Sequence, residues 1–184
     1  MKKWTIKILI GLTIIYGLVV FLVPNFIDKK YNTIAQLPPY EVSPEAQDLF
    51  NSLDFIADLH CDALLWKRNL NQKNNFGAVD IPRLVEGKVS LQAFTIVSKV
   101  PFGLNIKSNS ESDMLTLQSF ASGRNPSTWF SPFGRAISQC NELKKFSEKS
   151  DGKFRVLLSS SELEKYLSDK KSQPEMSAGF IGLE

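Results

Sequence analysis

Apolar and polar residues are arranged differently in the first thirty positions than in the rest of the chain. Residues 8–23 form an apolar run without a charge, and the run ends at Pro24. With the apolar residues beside it, the run approaches the roughly 20 residues that a helix needs to span a bilayer. Lys2 and Lys3 precede it, which favours a cytoplasmic N-terminus. We therefore predict a transmembrane helix that serves as a signal anchor at residues 1–27.

A cleaved signal peptide is the alternative interpretation of this segment. Its apolar core would hold about 7–15 residues and would be followed by small residues at a cleavage site. The run here is longer, and Val23, Pro24 and Asn25 after it give no such site, which favours an uncleaved anchor. Both interpretations place the following domain outside the cytoplasm, in a periplasmic or extracellular compartment. A buried core helix is a third alternative.

The segment after the apolar run is polar and rich in proline. Residues 28–44 contain Pro38, Pro39 and Pro44, which is typical of a semi-rigid tether. Ser43 before Pro44 offers a helix cap followed by a proline at the first helical position. The sequence therefore predicts a tether over 28–44 and a short helix to about Ser52.

Short apolar runs then alternate with helical patterns. The runs with the composition of strands are residues 55–60, 89–97, 154–158 and 178–183. Apolar residues at spacings of three and four indicate helices within 111–149, split by a loop at 122–128. Ser161 to Glu164 predicts a capping box that opens another helix.

Strands separated by helices indicate β/α units on a parallel sheet. A complete (β/α)₈ barrel takes roughly 250 residues, whereas residues 45–184 hold four strand-like runs. The predicted fold class is therefore α/β, namely the first half of a (β/α)₈ TIM-like barrel preceded by a transmembrane helix. On this prediction the chain is truncated at Glu184, and Gln92 and Phe94 fill the barrel interior.

Charge and cysteine content narrow the partners. The chain has 22 basic and 19 acidic residues, and the first thirty positions hold five of the lysines and one aspartate. The rest of the chain is close to neutral, so it has no basic field for nucleic acid. Cys61 and Cys140 are too few for a disulfide scaffold. They could pair outside the cytoplasm, but the sequence favours buried free thiols.

The stretch from Asp58 to Asp62 carries the candidate chemistry. On a strand, Asp58, His60 and Asp62 point to one face, at the strand end where barrel enzymes place their active sites. Imidazole and carboxylates suit zinc or a similar divalent ion. A lone HxD triplet is more often a hydrogen-bonded surface pair, however. The chain has one histidine, which excludes a complete histidine-rich site within it.

Two further stretches extend this pattern into a family resemblance. Residues 78–89 read AVDIPRLVEGKV and are followed by Gln92 and Phe94, and residues 179–184 read GFIGLE. With the HxD triplet, and in this order, they resemble the membrane (renal) dipeptidase family of zinc peptidases over about residues 54–184. Ala78 stands where that family commonly has histidine, and Lys88 replaces the second glycine of its Gly-Gly-Val turn.

The resemblance implies a (β/α)₈ barrel with two zinc ions that hydrolyses small dipeptides. His60 and Asp62 correspond to ligands of one zinc ion, and Glu184 to the glutamate that bridges both ions. Asp58 would lie behind these ligands and orient them. The two histidines that hold the second zinc ion in the family have no counterpart here, so we expect negligible activity from these 184 residues.

Two rival interpretations remain, and the sequence leaves homodimer formation open. The first rival is an amidohydrolase that acts on non-peptide amides, although its first strand usually reads HxH rather than HxD. The second is a membrane-tethered inactive fragment or pseudoenzyme that binds metal weakly. Asp80, Pro82 and Arg83 are expected to start and pack a helix rather than to catalyse.

Overall fold

The computed structural model describes residues 3–184 and contains one parallel sheet, flanked by helices. The strands are β1 (Ile56–Asp58), β2 (Val89–Ile96), β3 (Phe154–Val156) and β4 (Ser177–Leu183). The helices are α1 (Lys3–Tyr31), α2 (Pro44–Ser52), α3 (Ile81–Glu86), α4 (Met114–Ala121), α5 (Pro132–Glu148) and α6 (Ser160–Lys170). Single 3₁₀ turns lie at Ala63–Leu65 and Pro126–Thr128. Lys2, which supported the predicted orientation of α1, lies outside the described residues.

The four strands are all parallel, in the order β1-β2-β4-β3. The predicted α/β class with a parallel sheet is thereby confirmed. Four successive strands of a barrel would instead stand in the order β1-β2-β3-β4. The orders differ because β3, which follows β2 in the chain, lies at the edge of the sheet. The chain then returns through α6 and places β4 between β2 and β3. With right-handed connections, forward and return steps place their helices on opposite faces of the sheet.

The larger hydrophobic cluster joins the sheet to α3 and α5. Phe94 of β2 packs with Leu143 of α5, Leu84 of α3 and Phe154 of β3. The rings of Phe94 and Phe154 meet edge to face, with centroids 5.7 Å apart. Phe94 therefore belongs to the face of the sheet that α3 and α5 cover. The helices of a (β/α)₈ barrel form its outer ring, so this packing contradicts the prediction that Phe94, and Gln92 on the same face of β2, fill a barrel interior.

A second hydrophobic cluster holds α6 near the amino ends of β2 and β4. Tyr166 of α6 is fully buried with Met176 and Ala178. Its hydroxyl donates to the carbonyl oxygen of Ser90, 2.5 Å away, and to that of Met176, 3.2 Å away. These two bonds connect α6 to β2 and to the start of β4.

Helix α1 is longer than predicted. It continues through Pro24 to Tyr31, so the segment outside regular structure begins at Asn32 rather than at residue 28. The end of α1 is held against the domain, because Asp28 Oδ2 lies 3.1 Å from Arg68 Nε and Gly77 N donates to Asn32 O. These contacts favour the helical conformation beyond a proline that by itself would end or kink the helix.

Side-chain caps define most helix starts. Ser43 caps α2 and Asp80 caps α3, as predicted. The cap of α6 is Ser159 rather than Ser161: Ser159 accepts from Glu162 N, and the Glu162 carboxylate accepts from Leu158 N. In a capping box the glutamate accepts from the backbone N–H of the cap residue itself. Here it accepts from Leu158, one residue before the cap, so the predicted box forms only in part.

Candidate metal centre

His60, Asp62 and Glu184 come together at the carboxyl ends of the strands. His60 Nε2 lies 3.5 Å from Asp62 Oδ1, and His60 Nδ1 lies 3.3 Å from Glu184 Oε1. The imidazole ring thus lies between the two carboxylates. One donor atom from each residue falls within 4.8 Å of the other two. Among residues 3–184, these three form the one such group of potential metal ligands.

Backbone hydrogen bonds to β2 place the two parts of this centre. Strand β1 ends at Asp58, earlier than predicted, but Cys61 O accepts from Thr95 N at 3.0 Å, so the loop after β1 still runs beside β2. On the other side, Glu184 N donates to Ile96 O at 3.1 Å. The end of β2 therefore holds both segments.

Thr95 is a site residue that the sequence reasoning did not identify. Its hydroxyl donates to Asp62 Oδ1 in a short hydrogen bond, while its backbone N–H holds Cys61. Thr95 alternates with Phe94 on β2, so it faces away from the helix-covered core. That alternation, with a hydroxyl at the strand's end, is the signal that could have indicated it.

Ser98 and Asp58 contact the backbone of the centre. Ser98 Oγ donates to Glu184 O at 2.9 Å. Asp58 Oδ1 accepts from the backbone N–H of His60 at 3.2 Å. Asp58 therefore stabilises the conformation of the loop that carries His60. Its hydrogen bond is with the backbone of His60 rather than with the imidazole ring.

Cys61 lies between two candidate ligands but faces the other way. It is buried in the core cluster with Leu64 and Ile96, and burial raises the pKa of its thiol to about 11. A thiol that stays protonated is a poor metal ligand. Cys61 and Cys140 are both free cysteines in the structure.

The donor set fits a divalent metal ion such as zinc. It combines an imidazole with two carboxylates, which are ordinary zinc ligands. Two donors at about 2.1 Å from one zinc ion lie about 3.4 Å apart in a tetrahedral shell, which is close to the 3.5 Å between His60 Nε2 and Asp62 Oδ1. Glu184 lies beside the other ring nitrogen, Nδ1, and one ion cannot bind both nitrogens of one ring. The side chains of His60, Asp62 and Glu184 are 61%, 39% and 44% exposed. An ion or a small substrate can therefore reach them from solvent.

Comparisons with known proteins give one structural neighbour. No family model matches the chain, and no curated protein matches it. Among solved structures, the chain is similar to a metallopeptidase described as dipeptidase AC of peptidase family M19, at 17% sequence identity and a TM-score of 0.46. The similar region covers 71% of this chain and 34% of that one. The chain thus spans about a third of the length of this neighbour.

Proposed function

We propose that this chain carries the first part of a zinc-dependent dipeptidase site on a membrane-anchored domain outside the cytoplasm. The observation that carries the proposal is the convergence of His60, Asp62 and Glu184 across the end of β2. These are the residues that the family resemblance assigns to the metal, and one donor atom of each lies within 4.8 Å of the other two.

In this proposal, His60 and Asp62 would be ligands of one zinc ion, and Glu184 would be a ligand that this ion shares with a second. Zinc supplies Lewis acidity that polarises a peptide carbonyl and lowers the pKa of water. Neighbouring residues of the chain position these ligands by hydrogen bonds. Thr95 donates to the Asp62 carboxylate, and Ser98 donates to the backbone carbonyl oxygen of Glu184. Asp58 fixes the loop that bears His60. The partner is a small dipeptide.

The proposed fold is a partial (β/α)₈ barrel in which β1, β2 and β4 are three neighbouring barrel strands. This assignment follows the sheet order, because these three are adjacent and each ends at the metal centre. Strand β3 would then be a short additional edge strand. Helix α1 is long and apolar enough to cross a membrane, and we assign its N-terminus to the cytoplasm.

Zinc titration of the metal-free full chain tests the centre. We expect one ion bound per chain, and we expect Asp62→Asn to abolish this binding. Glu111→Gln is the matched control, because that carboxylate is fully exposed and contacts Lys99 alone among the ion pairs of residues 3–184. A wild-type chain that binds no zinc, or an Asp62→Asn variant that binds it as tightly, would contradict the proposal.

Hydrolysis assays test the substrate class. The chain has a single histidine, so we expect no zinc-dependent turnover of dipeptides by these residues alone. Supplying the second half of a barrel of the same family, with its two histidines, should give dipeptide hydrolysis that Asp62→Asn removes. Zinc-dependent cleavage of simple amides but not of dipeptides would replace this assignment by the amidohydrolase alternative.

A further inference from the structure

Helix α4 and α1 are packed together at a level where α1 is wholly apolar. Tyr16 Oη donates to Phe120 O at 3.2 Å, and the two rings lie 4.9 Å apart. Val20 packs so closely on Gly123 that a Cβ there would be 2.6 Å from Val20 Cγ1. Tyr16 lies at the middle of the apolar run of residues 8–23. These contacts fix α4 beside the central part of α1.

Helix α4 has the surface of a helix that contacts lipid. Its sequence MLTLQSFA contains no charged residue. Leu115 and Ser119 face the domain, whereas Met114, Leu117 and Phe120 are exposed at a spacing of three. Such a stripe on a helix of a soluble domain normally faces a core, yet here it faces outward beside α1.

Other exposed apolar residues precede α4, and an aromatic pair lies near the end of α1. The preceding loop exposes Phe102, Leu104 and Ile106. Near the other end of α1, Tyr31 stacks on Trp66 with ring centroids 6.3 Å apart. Tyrosine and tryptophan are enriched where a membrane meets water, so this pair is suited to the level at which α1 leaves the bilayer.

We propose that α4, with its exposed residues Met114, Leu117 and Phe120, enters the hydrocarbon core of the bilayer that α1 crosses. Tyr16 precedes Tyr31 by fifteen residues, which at 1.5 Å per residue is about 22 Å along the helix. Because the hydrocarbon core is about 30 Å thick, a spanning α1 that keeps its contact with Phe120 carries α4 below the headgroups. The inference rests on the proposed membrane placement of α1.

Depth-dependent fluorescence quenching tests this arrangement in the full chain. All variants carry Cys140→Ser, so the remaining native cysteine is Cys61, which is 7% exposed. The Cys140→Ser chain without an added cysteine measures how much dye Cys61 takes up. An environment-sensitive dye is placed at Leu117→Cys, at Leu158→Cys or at Ile14→Cys, in phosphatidylcholine vesicles with or without quencher on the acyl chains. Leu158 is the matched control for Leu117, because the two side chains are 61% and 60% exposed.

We expect the dye at position 117 to be quenched within a factor of about two of the dye at position 14, since the contact between Tyr16 and Phe120 would place both positions within the hydrocarbon core. The dye at position 158 should not be quenched. Quenching at 14 without quenching at 117 overturns the α4 inference and leaves the anchor and the metal centre standing. Absence of quenching at 14 overturns both the inference and the anchor, but not the metal centre.

Discussion

His60 Nδ1 lies 3.3 Å from Glu184 Oε1, although the strands that precede these residues are not paired with each other. Strand β2 stands between β1 and β4, and neighbouring strands are about 4.8 Å apart. The two side chains therefore meet across the carboxyl end of β2, one from each side of this strand. The contact exists only if three strands are in register, so the candidate centre depends on the sheet as a whole.

Removing the Glu184 carboxylate should weaken metal binding. Glu184→Gln keeps the size of the side chain but removes its charge, and a carboxamide is a poor zinc ligand. We expect the zinc affinity to fall by more than about tenfold, the lower bound for changes that merely support a ligand. Competition with a chromogenic chelator measures the affinity, and an unchanged value would remove Glu184 from the centre.

Thr95 should affect zinc affinity without touching the ion. Thr95→Val removes the hydroxyl that donates to Asp62 while keeping the branched shape on β2. We expect a loss of about 10- to 100-fold in zinc affinity, and recovery in Thr95→Ser, which restores the donor. Unfolding in urea serves as the control: if both variants lose the same stability and the same affinity, Thr95 has a structural role only.

Much of the sheet could be predicted from the sequence because each strand is a compact apolar run with a clear boundary. The order of the strands could not be. The residues of Phe154–Val156 do not indicate that this strand lies at the edge of the sheet while β4 pairs with β2. In the structure, the Tyr166 hydroxyl of α6 joins β2 to the start of β4 through the carbonyl oxygens of Ser90 and Met176, and Ser90 is 76 residues away in sequence.

The candidate ligands were predictable from their chemistry, but their support was not. His60, Asp62 and Glu184 were named from motifs, and they lie together in the structure. Thr95 lies outside these motifs, and the signal for it is its alternation with Phe94 at the end of β2. Asp58 was expected beside the other two by strand alternation, but β1 ends at Asp58. After that point the chain no longer alternates, and Asp58 binds the backbone.

Two glycines of β4 should respond differently to the same substitution. A Cβ at Gly179 would lie 2.6 Å from Phe154 Cζ and 2.9 Å from Phe94 Cε2. At Gly182 it would meet only Thr95 Cγ2, at 3.5 Å, an ordinary contact. We expect Gly179→Ala to lower the free energy of unfolding by about 1–3 kcal/mol through overpacking. Gly182→Ala should leave it nearly unchanged, and equal losses in urea unfolding would contradict this reading.

The Asp28–Arg68 ion pair should hold the end of α1 to the domain. Both side chains are at least nine-tenths buried, and removing one partner of a buried pair leaves an uncompensated charge that costs about 3–5 kcal/mol. We expect Arg68→Met to expose the chain after Tyr31 to protease in detergent. Lys73→Met is the control, because its pair with Glu86 is exposed and such pairs contribute little. Equal cleavage rates in both variants would rule out this role.

Tyr166 should make the protein less stable at alkaline pH. Burial raises the pKa of its hydroxyl to about 12, against the opposing effect of Arg155, whereas a tyrosine in the unfolded chain ionises near pH 10. Between these two values the unfolded state binds fewer protons than the folded state. The stability that this hydroxyl contributes is therefore fully present below about pH 10 and is lost as the pH rises towards 12.

Comparison with Tyr166→Phe isolates this effect from the other groups that titrate at high pH. At pH 8 the variant should be less stable by about 1–3 kcal/mol, because the carbonyl oxygens of Ser90 and Met176 lose their donor. Urea unfolding at pH 8 and pH 11 should show this gap narrowing by about 1 kcal/mol or more, since each pH unit between the two pKa values changes it by about 1.4 kcal/mol. A gap that stays constant with pH would mean that the Tyr166 hydroxyl ionises equally in the folded and unfolded chain.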